Sequence, residues 1–255
     1  MKGVRYSDED LLRYPLKERD DNMGYIPKNI NVSDNLISKY VDMRGITSQT
    51  MEFYGVKTFG DRTGPVKQEY IYPSGGKKIR YFPKSFSAEN LKMDELFGMN
   101  LWNAGSARYV TVCEGEVDAM SAYQMLKGSY TNPVVSLPSA NPSKGLWEKC
   151  KDWLDSFDKI ILSVDNDDAG NALAAKMANL FPNKVYRVPH DKYKDANEFL
   201  EAGQQAAFKS AWYGAKKFVP ENILNTTDQF LSLYRDTPEH QYVPTGIQAL
   251  DDKIM

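Results

Sequence analysis

Ile160-Ile161-Leu162-Ser163-Val164-Asp165-Asn166-Asp167-Asp168-Ala169-Gly170 decides the fold. A short apolar run of strand length feeds directly into carboxylates and then into a helix-like segment. Roughly fifty residues upstream, Val110-Thr111-Val112-Cys113-Glu114-Gly115-Glu116-Val117-Asp118 repeats that order. Open α/β sheets bind ligands beyond the carboxyl ends of their strands. Carboxylates gathered there repel one another unless a cation or basic group sits among them. Hard oxygen donors of this kind suit Mg²⁺ or Mn²⁺.

Asp165 and Asp167 stand two apart, so in extended chain both side chains leave on the same side. Asp168-Ala169-Gly170 opens a helix, whose N-terminal end favours negative charge, a phosphate included. Acidic caps at a helix start would give the same residues without any ligand. Gly115 permits a tight bend and a close backbone approach. Helix-dipole compensation accounts for Glu116 and Asp118 as readily as metal binding does. It accounts less well for Glu114, at the strand end. Asp195, in Lys194-Asp195-Ala196-Asn197-Glu198, reads as an N-cap or as a third acidic group at a strand end.

Outward from these stretches, the chain alternates strand and helix. The expected strands are 109–113, 134–137, 159–164 and 184–188. The expected helices are 117–127, 144–157, 171–180, 196–202 and 204–214. Such alternation predicts an α/β fold with a mostly parallel sheet and helices on both faces. Upstream, Ser33 is expected to cap a helix over 35–42, and a second short helix should run from Ser48 to Tyr54 and stop at Gly55. Residues 68–72 and 77–82, joined by Pro73-Ser74-Gly75-Gly76, read as a hairpin. Residues 1–32 read as a flexible arm or linker, 33–106 as a smaller α+β subdomain and 107–219 as the α/β domain. In 220–255 a linker, an amphipathic helix over 227–234 and, from Val243, the start of a further domain are expected.

Bulk composition narrows the classes. The chain has 255 residues, enough for one or two domains, and 42% of them are hydrophobic. No apolar run approaches the ~20 residues of a transmembrane helix, and the charged start is unlike a secretory signal. Two cysteines make neither a disulfide framework nor a four-cysteine zinc ribbon, which points to a reducing, cytoplasmic setting. A net charge of −2 leaves any nucleic-acid site to local basic patches. The hairpin offers one in Lys77, Lys78, Arg80 and Lys84. Lys78 and Arg80, two apart, share a strand face; lysines guarding an edge strand are the plainer alternative. Tyr81 and Phe82 could stack on bases or belong to the core. Phe97 and Trp102 read as core, Cys113 as an inert core thiol.

The Glu114-Gly115-Glu116 turn followed by Asp165-Asn166-Asp167 resembles the TOPRIM signature of primases, topoisomerases and some nucleases. Further segments resemble the primase half of phage bifunctional primase-helicases, a family related to Twinkle-type helicases. These are Asp94-Glu95-Leu96-Phe97-Gly98-Met99-Asn100-Leu101-Trp102-Asn103, Lys194-Asp195-Ala196-Asn197-Glu198, Arg44-Gly45-Ile46 and Lys78-Ile79-Arg80. The resemblance implies an RNA primase working on single-stranded DNA with ribonucleoside triphosphates, in the cytoplasm of a phage-infected cell. It implies Glu114 as the catalytic glutamate, in metal binding or as general base activating the hydroxyl, with Lys78 and Lys84 beside it; an ordinary carboxylate pKa would leave Glu114 ionised at neutral pH. Asp165 and Asp167 lead the implied metal ligands, Glu116, Asp118 and Asp195 following; Arg44, Lys77 and Arg80 would hold phosphates. Mg²⁺ or Mn²⁺ is the implied cofactor. A fused helicase domain and a ring oligomer are the implied partners, the tail then being the interdomain linker and first helicase residues.

The family's N-terminal zinc ribbon has no counterpart here, since residues 1–32 hold neither Cys nor His. No zinc site is therefore expected in this chain, and template choice is open. A Twinkle-like module that binds single-stranded DNA without priming is the main alternative, and a TOPRIM nuclease a further one.

Overall fold

Tyr109–Cys113 (β6), Val134–Ser136 (β7), Lys159–Ser163 (β8) and Val185–Arg187 (β9) are parallel neighbours, and Lys216–Lys217 (β10) closes the sheet antiparallel to β9. The order is β10-β9-β8-β6-β7. The structure is a computed structural model. It describes residues 36–219 except 129, 130, 141 and 191, together with Thr227, Leu231, Ser232 and Arg235. Expectations for 1–32, 220–225 and 243–251 lie outside the described residues. Of 227–234, Thr227, Leu231 and Ser232 are described, and they are helical and exposed.

The strands are apolar on both sides because helices cover both. Val110, Val112, Ile160 and Leu162 point into one core with Lys144–Asp155 (α3) and Asp168–Leu180 (α4). Cys113 and Ile161 point the other way, against Glu116–Leu126 (α2), Ala196–Glu201 (α5) and Gln205–Tyr213 (α6). Burying each of the four large aliphatics on the first face contributes roughly 1.5–3 kcal/mol. The two-sided, mostly parallel sheet is the fold the strand–helix alternation predicts.

The second sheet is wholly antiparallel. It runs Ile37–Lys39 (β1), Lys57–Asp61 (β2), Gly64–Ile71 (β3), Lys77–Tyr81 (β4) and Ser85–Glu89 (β5) in chain order. The hairpin is present as β3 and β4. Helix Ser48–Tyr54 (α1) has the expected bounds. Thr47 caps its start, and Gly55 ends it at φ 71°, a left-handed conformation that suits glycine. The helix expected over 35–42 is not formed: Ile37–Lys39 is a strand on the edge of β2. Leu36, Ile37, Tyr40 and Val41 would give a helix an apolar stripe, so local pattern does not decide against it. Pairing does, because β1 takes up the backbone groups that β2 would otherwise leave open on that edge.

Residue contacts divide the chain after Phe218, leaving both sheets in one unit. A third core joins the sheets, with Met51, Tyr54, Tyr70, Tyr72 and Phe97 meeting Met120 of α2. Phe97 also exchanges backbone hydrogen bonds with Ser136, and the Tyr54 hydroxyl donates to the Val134 carbonyl at 2.9 Å. The Leu96-Phe97-Gly98 segment is therefore part of the joint that holds the hairpin over the parallel sheet.

Candidate functional site

Three parallel strands deliver acids to one end of the sheet. Glu114 follows β6 directly, and Asp165 and Asp167 lie just past β8. Asp195 follows β9 after a longer loop. Asp167 is the N-cap of α4, its Oδ1 accepting from Gly170 N at 2.9 Å. Asp195 is the N-cap of α5, accepting from Glu198 N at 2.8 Å. Asp118, in the first turn of α2, accepts from Asn197 N at 3.3 Å.

These acids feel one another. Burial, then the charges of Asp165 and Asp167, raise the pKa of Glu114. The ordinary value expected from sequence is thus corrected upward, because the side chain is half-buried among like charges. Burial, then Asp195, pushes Asp118 up to about 7, against the pull of Asn197 N–H and Arg44. Lys194 sits in their midst. Its Nζ lies 3.0 Å from Asp165 Oδ2, and that bond, with the charges of Asp165, Asp195 and Glu114, holds its pKa up. Among the described residues no three His, Cys, Asp or Glu side chains converge closely enough to hold a metal ion. The donor chemistry still fits a hard dication: mutually repelling carboxylates that already draw in one ammonium.

The loop bearing Asp165 and Asp167 is clamped from β9. Arg187 Nη2 donates to the Asp165 carbonyl at 2.6 Å, and Nη1 donates to Asn171 Oδ1 in α4. Gly170 is required by this packing, because a Cβ there would stand 2.0 Å from the Asp165 carbonyl oxygen.

The antiparallel sheet meets this end of the parallel sheet through Lys78. Lys78 Nζ reaches Glu116 Oε1 at 2.9 Å and Oε2 at 3.1 Å, and the Pro138 carbonyl at 3.3 Å. The Tyr72 hydroxyl donates to Glu116 Oε1 at 2.6 Å. Glu116 is buried and bound by both partners, so it joins the sheets and is set apart from the other acids. Arg80 shares the face of Lys78 and lies beside Tyr70, whose hydroxyl also feels Arg44 and Glu116. Lys77 is on the other face. It pairs with Glu69 at 2.8 Å, as does Lys67 at 2.7 Å, and so is not brought to the basic group. Lys84 is exposed beyond β4.

Arg44 occupies a tight turn at φ 51°, followed by Gly45 at φ 74°. Its carbonyl accepts from Asn197 Nδ2 at 2.9 Å, and its guanidinium lies 3.8 Å from Glu201. Five contributors were not singled out from sequence: Lys194, Arg187, Asn171, Asn197 and Tyr72. Lys194 and Asn197 stand inside the Lys-Asp-Ala-Asn-Glu segment, where a cation beside acids was a usable signal. Arg187 ends a strand next to the acidic loop. Tyr72 carries no local signal.

Residues 111–200 match the family model described as Toprim-like. They form a Toprim-like domain. The chain is 29% identical to the DNA helicase/primase of Enterobacteria phage T3, across 85% of this chain and 40% of that protein. It is 27% identical to the chloroplastic/mitochondrial Twinkle homolog protein of Arabidopsis thaliana, across 85% of this chain and 34% of that protein. The crystal structure of the primase fragment of the bacteriophage T7 primase-helicase aligns with a TM-score of 0.60 and 29% identity. That alignment covers 68% of this chain and 74% of the fragment. The chain is thus a relative of the primase part of phage primase-helicases, and it spans 40% or less of the length of these curated relatives.

Proposed function

We propose that this Toprim-like chain is the catalytic part of a DNA-dependent RNA primase. It would make short RNA primers on single-stranded DNA, within a replicative protein that also carries a ring-forming helicase. The observation that carries this reading is the gathering of Glu114, Asp165 and Asp167 at one end of the parallel sheet, with the basic strand of Lys78 and Arg80 tied to the neighbouring start of α2 through Glu116. Acids alone would repel a nucleotide, and bases alone would only bind one.

In primer synthesis a 3′-hydroxyl oxygen attacks an α-phosphorus and pyrophosphate leaves. Glu114 is suited to receive the hydroxyl proton, because burial and its acidic neighbours raise its proton affinity. Asp165 and Asp167, with Asp118 and Asp195 behind them, would hold Mg²⁺ or Mn²⁺. When bound, the dications supply electrostatic stabilisation of the attacking and leaving oxygens. Arg80, Arg44, Lys78 and Lys84 would balance phosphate charge. Arg187 and Gly170 keep the acidic loop in register.

The test is incubation with single-stranded DNA, labelled ribonucleotides and Mg²⁺ or Mn²⁺, with and without Glu114→Gln. Labelled oligoribonucleotides that disappear in the variant are the expected result. DNA binding without product would replace the primase by a Twinkle-like binding module. That second reading is favoured by the Lys194–Asp165 ion pair among unconverged carboxylates. Shortened DNA would mean a nuclease.

A further inference from the structure

Phe86 is 55% exposed on β5, the last strand of its sheet. An exposed phenyl ring needs no special account by itself, but the surroundings of this one are unusual. Phe86 is the cross-strand partner of Arg80, and directly opposed residues share a face. The Lys78 ammonium lies 5.5 Å from its ring centroid, and the same ammonium contacts Glu116 at 2.9 Å. Phe82, on the same strand line as Arg80, has the guanidinium 5.2 Å over its ring. Other exposed rings are differently placed: Phe53 stacks on Tyr123, and Tyr213 packs against Trp212. Phe86 is the exposed ring whose neighbour is a cation paired with Glu116 at the start of α2.

We propose that Phe86 is a stacking platform for a base of the single-stranded DNA template, with Arg80 and Lys84 taking the flanking phosphates. The inference rests on the nucleic-acid reading above and adds the residue that meets a base face. The chemistry is matched on both counts. A base presents a π face that stacks on an aromatic ring whatever its identity, and the backbone on either side carries the anions that the cations need. Accessible apolar area, which costs free energy in water, would be covered by the bound base.

The experiment is fluorescence anisotropy of fluorescein-labelled oligo(dT) with the protein, without nucleotides. Phe86→Ala is expected to weaken binding roughly 5- to 150-fold, the range of one lost base–aromatic stack. Phe86→Leu keeps an apolar cover for Lys78 but has no π face, and it should fall with the alanine variant. Phe86→Trp should bind like wild type, with oligo(dT) quenching its added emission beyond any change in the four native tryptophans. The salt slope of log K should stay at the wild-type value, since no phosphate contact is lost. Wild-type affinity in Phe86→Ala, with wild type binding normally, overturns the stacking role alone. Retained affinity in Phe86→Leu does the same. A wild-type protein that binds no oligo(dT) overturns both this inference and the nucleic-acid reading.

Discussion

Removing the Lys78 ammonium tests the joint between the two sheets. In Lys78→Met the Glu116 carboxylate keeps the Tyr72 hydroxyl at 2.6 Å but loses a cation 2.9 Å from Oε1 and 3.1 Å from Oε2. Breaking a buried pair from one side costs about 3–5 kcal/mol, because the remaining charge is stranded. Two features lower that figure here. The Lys78 side chain keeps 21% of its exposure, against 7% for Glu116, and Tyr72 still satisfies one carboxylate oxygen. The expected loss is therefore about 2–3 kcal/mol, or roughly 4–12 °C at about 2–4 °C per kcal/mol for a chain of this size. Urea denaturation followed by tryptophan fluorescence reads it. The decisive comparison is the double variant Lys78→Met/Glu116→Gln. Taking away the stranded charge should make it more stable than Lys78→Met alone, although it lacks both partners. A Lys78→Met protein within 0.5 kcal/mol of wild type, or a double variant weaker than the single, would refute a buried cross-link.

Asp118 fixes a pH dependence. Its pKa rises from 3.8 to about 7 in the folded chain, so between those values the folded state holds a proton that the unfolded chain has released. Stability then falls as pH rises through that window. In EDTA, Asp118→Asn should gain on wild type from about pH 4 to 7 and hold a constant lead above; parallel urea-midpoint profiles would speak against it. Gly170→Ala sets a Cβ 2.0 Å from a backbone oxygen, so it should lose about 1–3 kcal/mol or more and most of the primer synthesis proposed above. A variant with native thermal midpoint and activity would contradict that packing. Lys194→Met removes the ammonium at Asp165, so the rise in thermal midpoint on adding Mg²⁺ should exceed that of wild type. An equal rise would mean that Lys194 does not offset the acids.

The legible parts of the fold are those whose causes are local. β6 and β8 are apolar runs bounded by acids and turns, and α1 carries its own stop in Gly55. Each can be read within a few residues. Ile37–Lys39 and Ser85–Glu89 cannot, because both are edge strands formed by pairing with a neighbour. Ser-Phe-Ser-Ala-Glu has little β-branched character to announce it. At the site, the placement of acids past three strand ends was visible in the sequence, while their partners were not. Glu116 meets residues 38 and 44 positions away, a distance at which spacing carries no information. Lys77 is a different case. Side chains alternate along a strand, so the adjacency of Lys77 and Lys78 already separates their faces, and pairing with Glu69 follows from the register of β3 and β4.

Capping and ligand binding, which compete as explanations of the same aspartates in the sequence, are compatible in the folded chain. A carboxylate has two oxygens. Asp167 and Asp195 each give Oδ1 to the amide three residues on, which fixes the side-chain rotamer and leaves Oδ2 clear of the cap. A freely rotating aspartate would have to be ordered when a cation or phosphate arrived, at a cost in side-chain entropy. The caps meet that cost during folding. Asp165 has no helix to cap, and its loop is fixed instead through the main chain by Arg187 and the close approach of Gly170. Its side chain is left to Lys194, whose side chain is largely exposed and is held in no helix or cap. The acid with the exposed partner is therefore the one whose charge can be released to a ligand without disturbing a helix start.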